Sequence, residues 1–255
     1  MRQESKIQVD VRGKIVGGFV PLICLPIVAT KKEDLITQAT DSIALDPDML
    51  EWRMDAYDQA EDIDICLAAL KELRETIGNV PLLATCRMGE EGGLKSISRE
   101  NRLQMAIAVA QSGFADIVDI EMCNGQKFVD EVKQAALKNQ TKLLLSFHDF
   151  TKTPAEKRLV EKLLLAQAMG ADIAKVAVMP KDAADVLTLL SATSRARNGK
   201  VQIPIVTIAM GVRGKITRIA GGLFGSDITF AVGMESSAPG QLPIAELKQA
   251  MGVIY

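Results

Sequence analysis

Eight short apolar runs, each followed by a longer stretch, are the feature that most limits what this chain can fold into. The runs are PLICLPIV (21–28), MLEWRMD (49–55), PLLATCRM (81–88), IVDIEM (117–122), KLLLSFHDF (142–150), IAKVAVMP (173–180), PIVTIAMG (204–211) and ITFAVG (228–233). Rich in β-branched and apolar residues and bounded by turn formers, they read as buried strands. Between them lie amphipathic patterns such as KKEDLITQATDSIAL, AEDIDICLAALKELRETIG and TPAEKRLVEKLLLAQAMG, several closing on a Gly or Asn suited to a helix C-terminus. Eight strand-then-helix units in 255 residues predict an α/β fold, a (β/α)8 TIM barrel made by a single domain over 1–255. A doubly wound open sheet is the competing arrangement, but no GxGxxG fingerprint follows an early strand. Ahead of the barrel, IQVDVRGKIVGG (7–18) alternates like a β-hairpin, and we place it as closing the bottom of the barrel.

Charge and cysteine usage exclude several classes of function. Lys plus Arg total 30 against 32 Asp plus Glu, a net charge of -2, with no long block of one sign. Nucleic acid or a membrane surface would demand a concentrated basic face, so neither is expected as a partner. The apolar stretch from Gly17 carries Pro21 and Pro26 and follows Glu4 and Asp10, so it reads as a strand and not as a targeting segment. Cys24, Cys66, Cys86 and Cys123 are scattered singly and His148 is the only histidine, so no zinc-type cluster is expected and a reduced, cytoplasmic location is.

Strand alternation then separates an outward from an inward set. In LEWRMD, Leu50, Trp52 and Met54 share one face and Glu51, Arg53 and Asp55 the other; Leu83, Thr85 and Arg87 likewise separate from Leu82, Ala84 and Cys86. Asp119 and Glu121, Ser146 and His148, and Ile173, Lys175 and Ala177 complete the inward set of five consecutive strands. Buried charges are costly unless paired, and barrel enzymes keep their chemistry at the carboxyl ends of the strands, so this concentration reads as a site.

Lys175 interrupts DIAKVAVM, where its neighbours are small and apolar. Burial beside Arg53 and Arg87 favours the neutral amine, the form that attacks a carbonyl, so a Schiff base is the chemistry it suggests. The alternative is a lysine paired with Asp119 or Glu121, or snorkelling to the barrel mouth. His148, one strand earlier, would hang at the same rim and could move a proton next to an imine; the alternative is a packed histidine donating to a backbone carbonyl.

Several motifs now carry a resemblance. EWRMD, TCRMGEEGG, FHDF followed by KTP, DIAKVAVMP with DVLTLL after it, MGVRGKITRIAGGLFGSDITF and SSAPGQLPI, in this order from about Pro21 onward, resemble type I 3-dehydroquinate dehydratase, the Schiff-base enzyme of the shikimate pathway. The resemblance implies a homodimeric barrel that converts 3-dehydroquinate to 3-dehydroshikimate with no cofactor and no metal. It implies that Lys175 forms the imine, that His148 removes the C2 proton and helps the C1 hydroxyl leave, and that Glu91 orients this histidine. It also implies that Glu51, Arg53 and Arg87 hold the ring hydroxyls and that Arg218, Ser237 and Gln241 bind the carboxylate. The first 20 residues match no motif, and Phe147, Arg213 and Lys215 are peripheral departures.

Two other readings remain open on the sequence. A Schiff-base aldolase or transaldolase would use the same lysine on a phosphorylated sugar, with GGLFGS (221–226) as a phosphate cradle. A non-catalytic barrel would bind a small carboxylate without covalent chemistry.

Overall fold

The computed structural model describes residues 2–234 and 236–255. An antiparallel hairpin, β1 (Val9–Val11) and β2 (Lys14–Val16), opens the chain. Strands and helices then alternate: β3 (Leu22–Ile27), α1 (Lys32–Ala44), β4 (Met49–Arg53), α2 (Ile63–Ile77), β5 (Leu82–Thr85), α3 (Arg99–Ser112), β6 (Ile117–Glu121) and α4 (Gln126–Ala136). The second half runs β7 (Lys142–Asp149), α5 (Glu156–Ala168), β8 (Ile173–Val178), α6 (Ala183–Asn198), β9 (Ile205–Ala209), α7 (Lys215–Ala220), β10 (Ile228–Phe230) and α8 (Ile244–Ile254).

The strands from β3 onward pair in parallel in the order β10-β3-β4-β5-β6-β7-β8-β9. A parallel bridge between Ile205 and Ser226 brings the two ends together, so the sheet curls into a barrel and the open-sheet alternative falls away. All eight strands are shorter than the apolar runs predict. Met54–Ala56, for example, is a 3-10 turn and not strand, because the Asp55 carboxylate turns back to bind Arg53 and the backbone N–H groups of Arg87 and Leu94.

Alternation sorts the core into two layers. Outward side chains such as Leu25, Leu50, Trp52 and Leu82 pack in one cluster with the helical Leu35, Leu70, Val129 and Leu163. Inward, the lower half of the barrel is filled by Leu83, Ile117, Leu144, Ile173, Val206 and Ile228, and Val9, Val11 and Val16 of the hairpin join the same cluster. The hairpin therefore plugs the bottom of the barrel. Each such side chain is worth about 1.5–3 kcal/mol when removed from water, and above this layer the inward positions become polar.

An aspartate stands immediately before every second barrel strand. Asp48, Asp116, Asp172 and Asp227 each donate a backbone N–H to one residue of the preceding strand, and each accepts that residue's N–H on the carboxylate at 2.7–2.9 Å. The residues so held are Ile23, Leu82, Leu143 and Ile205, the first or second residues of β3, β5, β7 and β9. Strand starts that the ladder leaves without a partner are thus closed by side chains. The N-terminal segment supplies cations to three of the four: Lys14 to Asp48, Arg12 to Asp116 and Arg2 to Asp227.

Candidate active site

The nine side chains expected in the site from strand alternation or from the resemblance line one cavity of about 470 Å3 at the carboxyl ends of the strands. Each strand delivers what its last inward positions hold. From β4 come Glu51, which accepts the Thr85 hydroxyl at 2.8 Å, and Arg53, which makes a two-pronged contact with Asp55 at 2.9 and 2.7 Å. Arg87, just past β5, is gripped by Asp119 and Glu121 of β6 and by the Ser146 hydroxyl. Arg102 of α3 backs Glu121 from outside the barrel at 3.2 Å. Two acids hold Arg87 rigidly, and their charge keeps its guanidinium fully protonated despite burial.

Lys175 sits in the middle of this ring. Its Nζ lies 3.6 Å from Asp119 and 4.4 Å from the centre of the Phe230 ring, and donates no hydrogen bond among the described residues. Asp119 is already committed at short range to Arg87 and Ser146; against strong desolvation, the charges of Arg87 and then Lys175, with these bonds, hold its carboxyl below the usual carboxylate range. The ion-pair alternative is therefore present in geometry, but as a long contact to an acid that two stronger donors occupy.

His148 lies one strand away and faces the same space. Glu91, in the 3-10 turn Gly89–Glu91, accepts the His148 backbone N–H at 2.8 Å and contacts Nδ1 at 3.0 Å, both through Oε2. With Glu91 ionised, Nδ1 must carry the proton, which leaves Nε2 as the basic atom. Burial, followed by the cations Arg87, Lys175 and Arg53, pushes the imidazole well below 6.5. Burial likewise pushes Glu91 up to about 7, with Arg87 opposing and Glu121 reinforcing. Desolvation resists a charge on either partner, and above about pH 7 the pair is a carboxylate beside a neutral imidazole. Phe150 stacks on the imidazole at 6.5 Å, and Gly92 at φ +90° leaves the room a Cβ would take from that ring.

The roof is a loop after β10. Gln241 accepts the backbone N–H of Ser237 at 2.9 Å and donates to its hydroxyl at 3.2 Å. Arg53 reaches the Ser237 carbonyl and Arg218 the Pro239 carbonyl. Arg218, on α7, is 2% exposed and finds only carbonyl oxygens, of Phe230 and Pro239, while its Nε has no partner. Burial alone lowers it to about 10. Among the described residues it meets no carboxylate, so it is a buried cation facing a cavity with its charge unmatched.

Comparison with known proteins decides what kind of site this is. The family model for type I 3-dehydroquinase matches residues 23–255. The chain belongs to the type I 3-dehydroquinase family. It is 43% identical over 251 residues to the 3-dehydroquinate dehydratase of Geobacillus thermodenitrificans, covering 98% of this chain and 97% of that one. With the enzyme of Albidiferax ferrireducens the identity is 42%, over 94% and 91% of the two chains. The crystal structure of the Geobacillus kaustophilus enzyme superposes with a TM-score of 0.96 at 39% identity, covering 100% of this chain and 98% of that one. A Clostridium difficile type I enzyme carrying covalently modified comenic acid gives 0.94 at 37%, over 97% of each chain. A 3-hexulose-6-phosphate synthase, 17% identical with a TM-score of 0.61, shares the barrel alone. As a type I 3-dehydroquinase, the chain is a hydro-lyase of 3-dehydroquinate in the shikimate pathway.

Sequence reasoning passed over other residues that the site uses. Asp55 appeared only as an inward charge, yet it fixes Arg53 and two backbone N–H groups. Phe150, Met210 and Phe230 line the cavity, and their apolar character gave no signal beyond strand pattern. Cys123 reaches Glu91 from a turn after β6, where a lone thiol carries no motif.

Proposed function

We propose that the chain dehydrates 3-dehydroquinate to 3-dehydroshikimate through an imine on Lys175, with His148 as acid and base and Glu91 as the group that orients it. The observation that carries the reading is one amine and one imidazole facing a single cavity in which the neighbouring cations Arg53 and Arg87 are committed to acids. The Lys175 amine adds to the substrate ketone and water leaves, giving a cationic imine. That cation drains electrons from the neighbouring carbon, so His148 Nε2 can take the C2 proton. The resulting imidazolium returns a proton to the departing C1 hydroxyl, which leaves as water. Hydrolysis of the imine then frees the amine.

Binding follows from the same geometry. The unmatched Arg218 guanidinium fits the substrate carboxylate, which would accept two parallel N–H bonds, and Ser237 and Gln241 close the roof beside it. Glu51, Arg53 and Arg87 stand where ring hydroxyls would reach, their own orientations fixed by Thr85, Asp55 and Asp119. No cofactor or metal enters this scheme.

We further propose that residues 1–255 act as one barrel domain, that two copies pair as a homodimer, and that the enzyme works in the cytoplasm. Apolar side chains exposed on adjoining elements, Leu187 on α6 with Val212 and Ile216 around the start of α7, support a surface covered by a second copy. Four free cysteines suit a reducing compartment. Among the described residues no helix is long and apolar enough to cross a membrane.

Borohydride reduction with 3-dehydroquinate, followed by intact mass, tests the assignment. The wild type should gain a covalent adduct and Lys175→Ala should not; His148→Ala should still be trapped while its turnover falls ~10² to 10⁴-fold. An unshifted wild-type mass would favour a non-catalytic carboxylate-binding barrel. Turnover without the ultraviolet-absorbing conjugated enone would favour the aldolase reading.

A further inference from the structure

Glu91 is held unevenly. Its Oε2 accepts two N–H groups, both from His148, whereas among the described residues Oε1 has one partner, the thiol of Cys123 at 3.5 Å. The carboxylate is buried, and a buried carboxylate oxygen without a donor swings or takes up a proton. The thiol has a second acceptor within reach, Met88 Sδ at 3.2 Å. A thioether sulfur accepts weakly and a carboxylate strongly, so Glu91 wins the S–H. Cys123 lies in the 3-10 turn Met122–Asn124, directly after Glu121, and that turn is fixed by Asn124, which bonds the Glu121 carbonyl and carboxylate at 3.1 Å. The sulfur is thus presented by a rigid element.

Resting on the Schiff-base reading above, we propose that Cys123 is a positioning residue for the acid–base pair: its thiol donates to Glu91 Oε1 and keeps Oε2 turned to His148. The thiol touches neither the cavity's reacting atoms nor His148. It acts by favouring the ionised carboxylate, which alone can accept Nδ1–H and so leave Nε2 free to take a proton. The groups facing Glu91 are Arg87 from the segment after β5, Glu121 and Cys123 from β6 and its turn with Arg102 behind, and His148 from β7; Lys175 and Arg53 act on the imidazole. Arg87 favours the carboxylate and Glu121 opposes it. Removing the thiol takes away one of the few stabilising contacts. Glu91 would then ionise only at higher pH, and the acidic limb of the kcat profile would move up with it. The thiol itself is pushed up to about 11 by burial and by Glu91, so it stays protonated, the form that donates, throughout the working range.

The test compares full-length wild type, Cys123→Ala and Cys123→Ser. In the alanine variant the acidic limb should rise by about 0.5 to 1 pH unit, making kcat about three- to tenfold lower on that limb. KM should stay within about twofold, since the thiol contacts no substrate group. Serine, which keeps a donor, should bring the limb back. His148 is the only histidine in the chain, so a long-range proton–nitrogen NMR spectrum reads its tautomer directly. At pH 7 the Nδ1–H form should be depleted in Cys123→Ala and restored in Cys123→Ser. An alanine profile superimposable on wild type, a serine variant shifted as far as alanine, or one tautomer population in all three would overturn the proposal. Loss of the borohydride adduct in the wild type would instead overturn the Schiff-base reading, while the tautomer measurement would still judge Cys123.

Discussion

Two residues of the site are placed against their own stability, and both can be tested by removing a charge. Arg218 is lowered from 12.5 to about 10 by burial alone, equivalent to ~3 kcal/mol of unfavourable charging. Arg218→Met, of similar reach and no charge, should therefore hold or raise the melting temperature while kcat/KM for 3-dehydroquinate falls ~10²-fold, the loss of a charge-assisted pair. A clear drop in melting temperature would mean the guanidinium serves the fold. Glu91 makes the same case with a pH window. Its folded value, about 7, lies above the ordinary 4.5, so between those values the folded chain binds the extra proton, and stability is lost as pH rises through the window. Glu91→Gln should melt higher than wild type at pH 8, by up to ~3 kcal/mol, with the advantage fading toward pH 4.5. His148 works in the opposite sense, because the unfolded chain protonates it below 6.5 while the folded chain does not, so the wild type alone shows only the difference of the two.

At the scale of elements, the strands were legible and the roof was not. Apolar runs between turn formers located all eight barrel strands, and period-two alternation put Glu51, Arg53, Arg87, Asp119, Glu121, His148 and Lys175 on the inside, where the structure has them. Two kinds of element escaped pattern reading. α7 is six residues long and offers too few periods to stand out, while α8 went unread although its 11 residues match the length of α4. Arg218, Ser237 and Gln241 came from resemblance alone, because a loop that folds over a site is ordered by long-range contacts that leave no local period. Those contacts make a prediction about the loop. Gly240 has φ +80°, and a Cβ there would stand 2.2 Å from the Gly211 carbonyl oxygen, where the Gly211 N–H also binds the Pro239 carbonyl. Gly240→Ala should lift the roof off β9's end, lowering kcat and raising KM together by about tenfold or more with little change in melting temperature. A variant with normal KM would show that the roof's docking is not needed for binding.

Across the whole molecule, chemistry and fold stability occupy opposite ends of the barrel, and the bottom end rests on the four strand-start aspartates. Nothing in the sequence pattern separates Asp48, Asp116, Asp172 and Asp227 from turn residues, yet their surroundings rank them. Asp227 closes the weakest seam, between β9 and the three-residue β10, with Arg2 and Arg197 both buried against it. Its carboxyl sits above the usual range because burial outweighs both cations. Asp116 holds the half-exposed Arg12 and the more buried Arg74, Asp48 holds the exposed Lys14, and Asp172 meets no cation within ion-pair distance among the described residues. An asparagine at any of the four can still accept the strand N–H, so the cost of each Asp→Asn change is set by the cation left behind. Asp227→Asn strands two buried guanidinia and should cost ~3–5 kcal/mol, whereas Asp172→Asn should cost no more than about 1 kcal/mol, with Asp116 and then Asp48 between. Urea denaturation of the four variants gives the order directly. Because the aspartates stand at the amino ends of the strands and the cavity at the carboxyl ends, kcat and KM of the folded variants should match the wild type. Equal losses in all four would mean that the ladder hydrogen bonds, and not the N-terminal cations, hold the barrel shut.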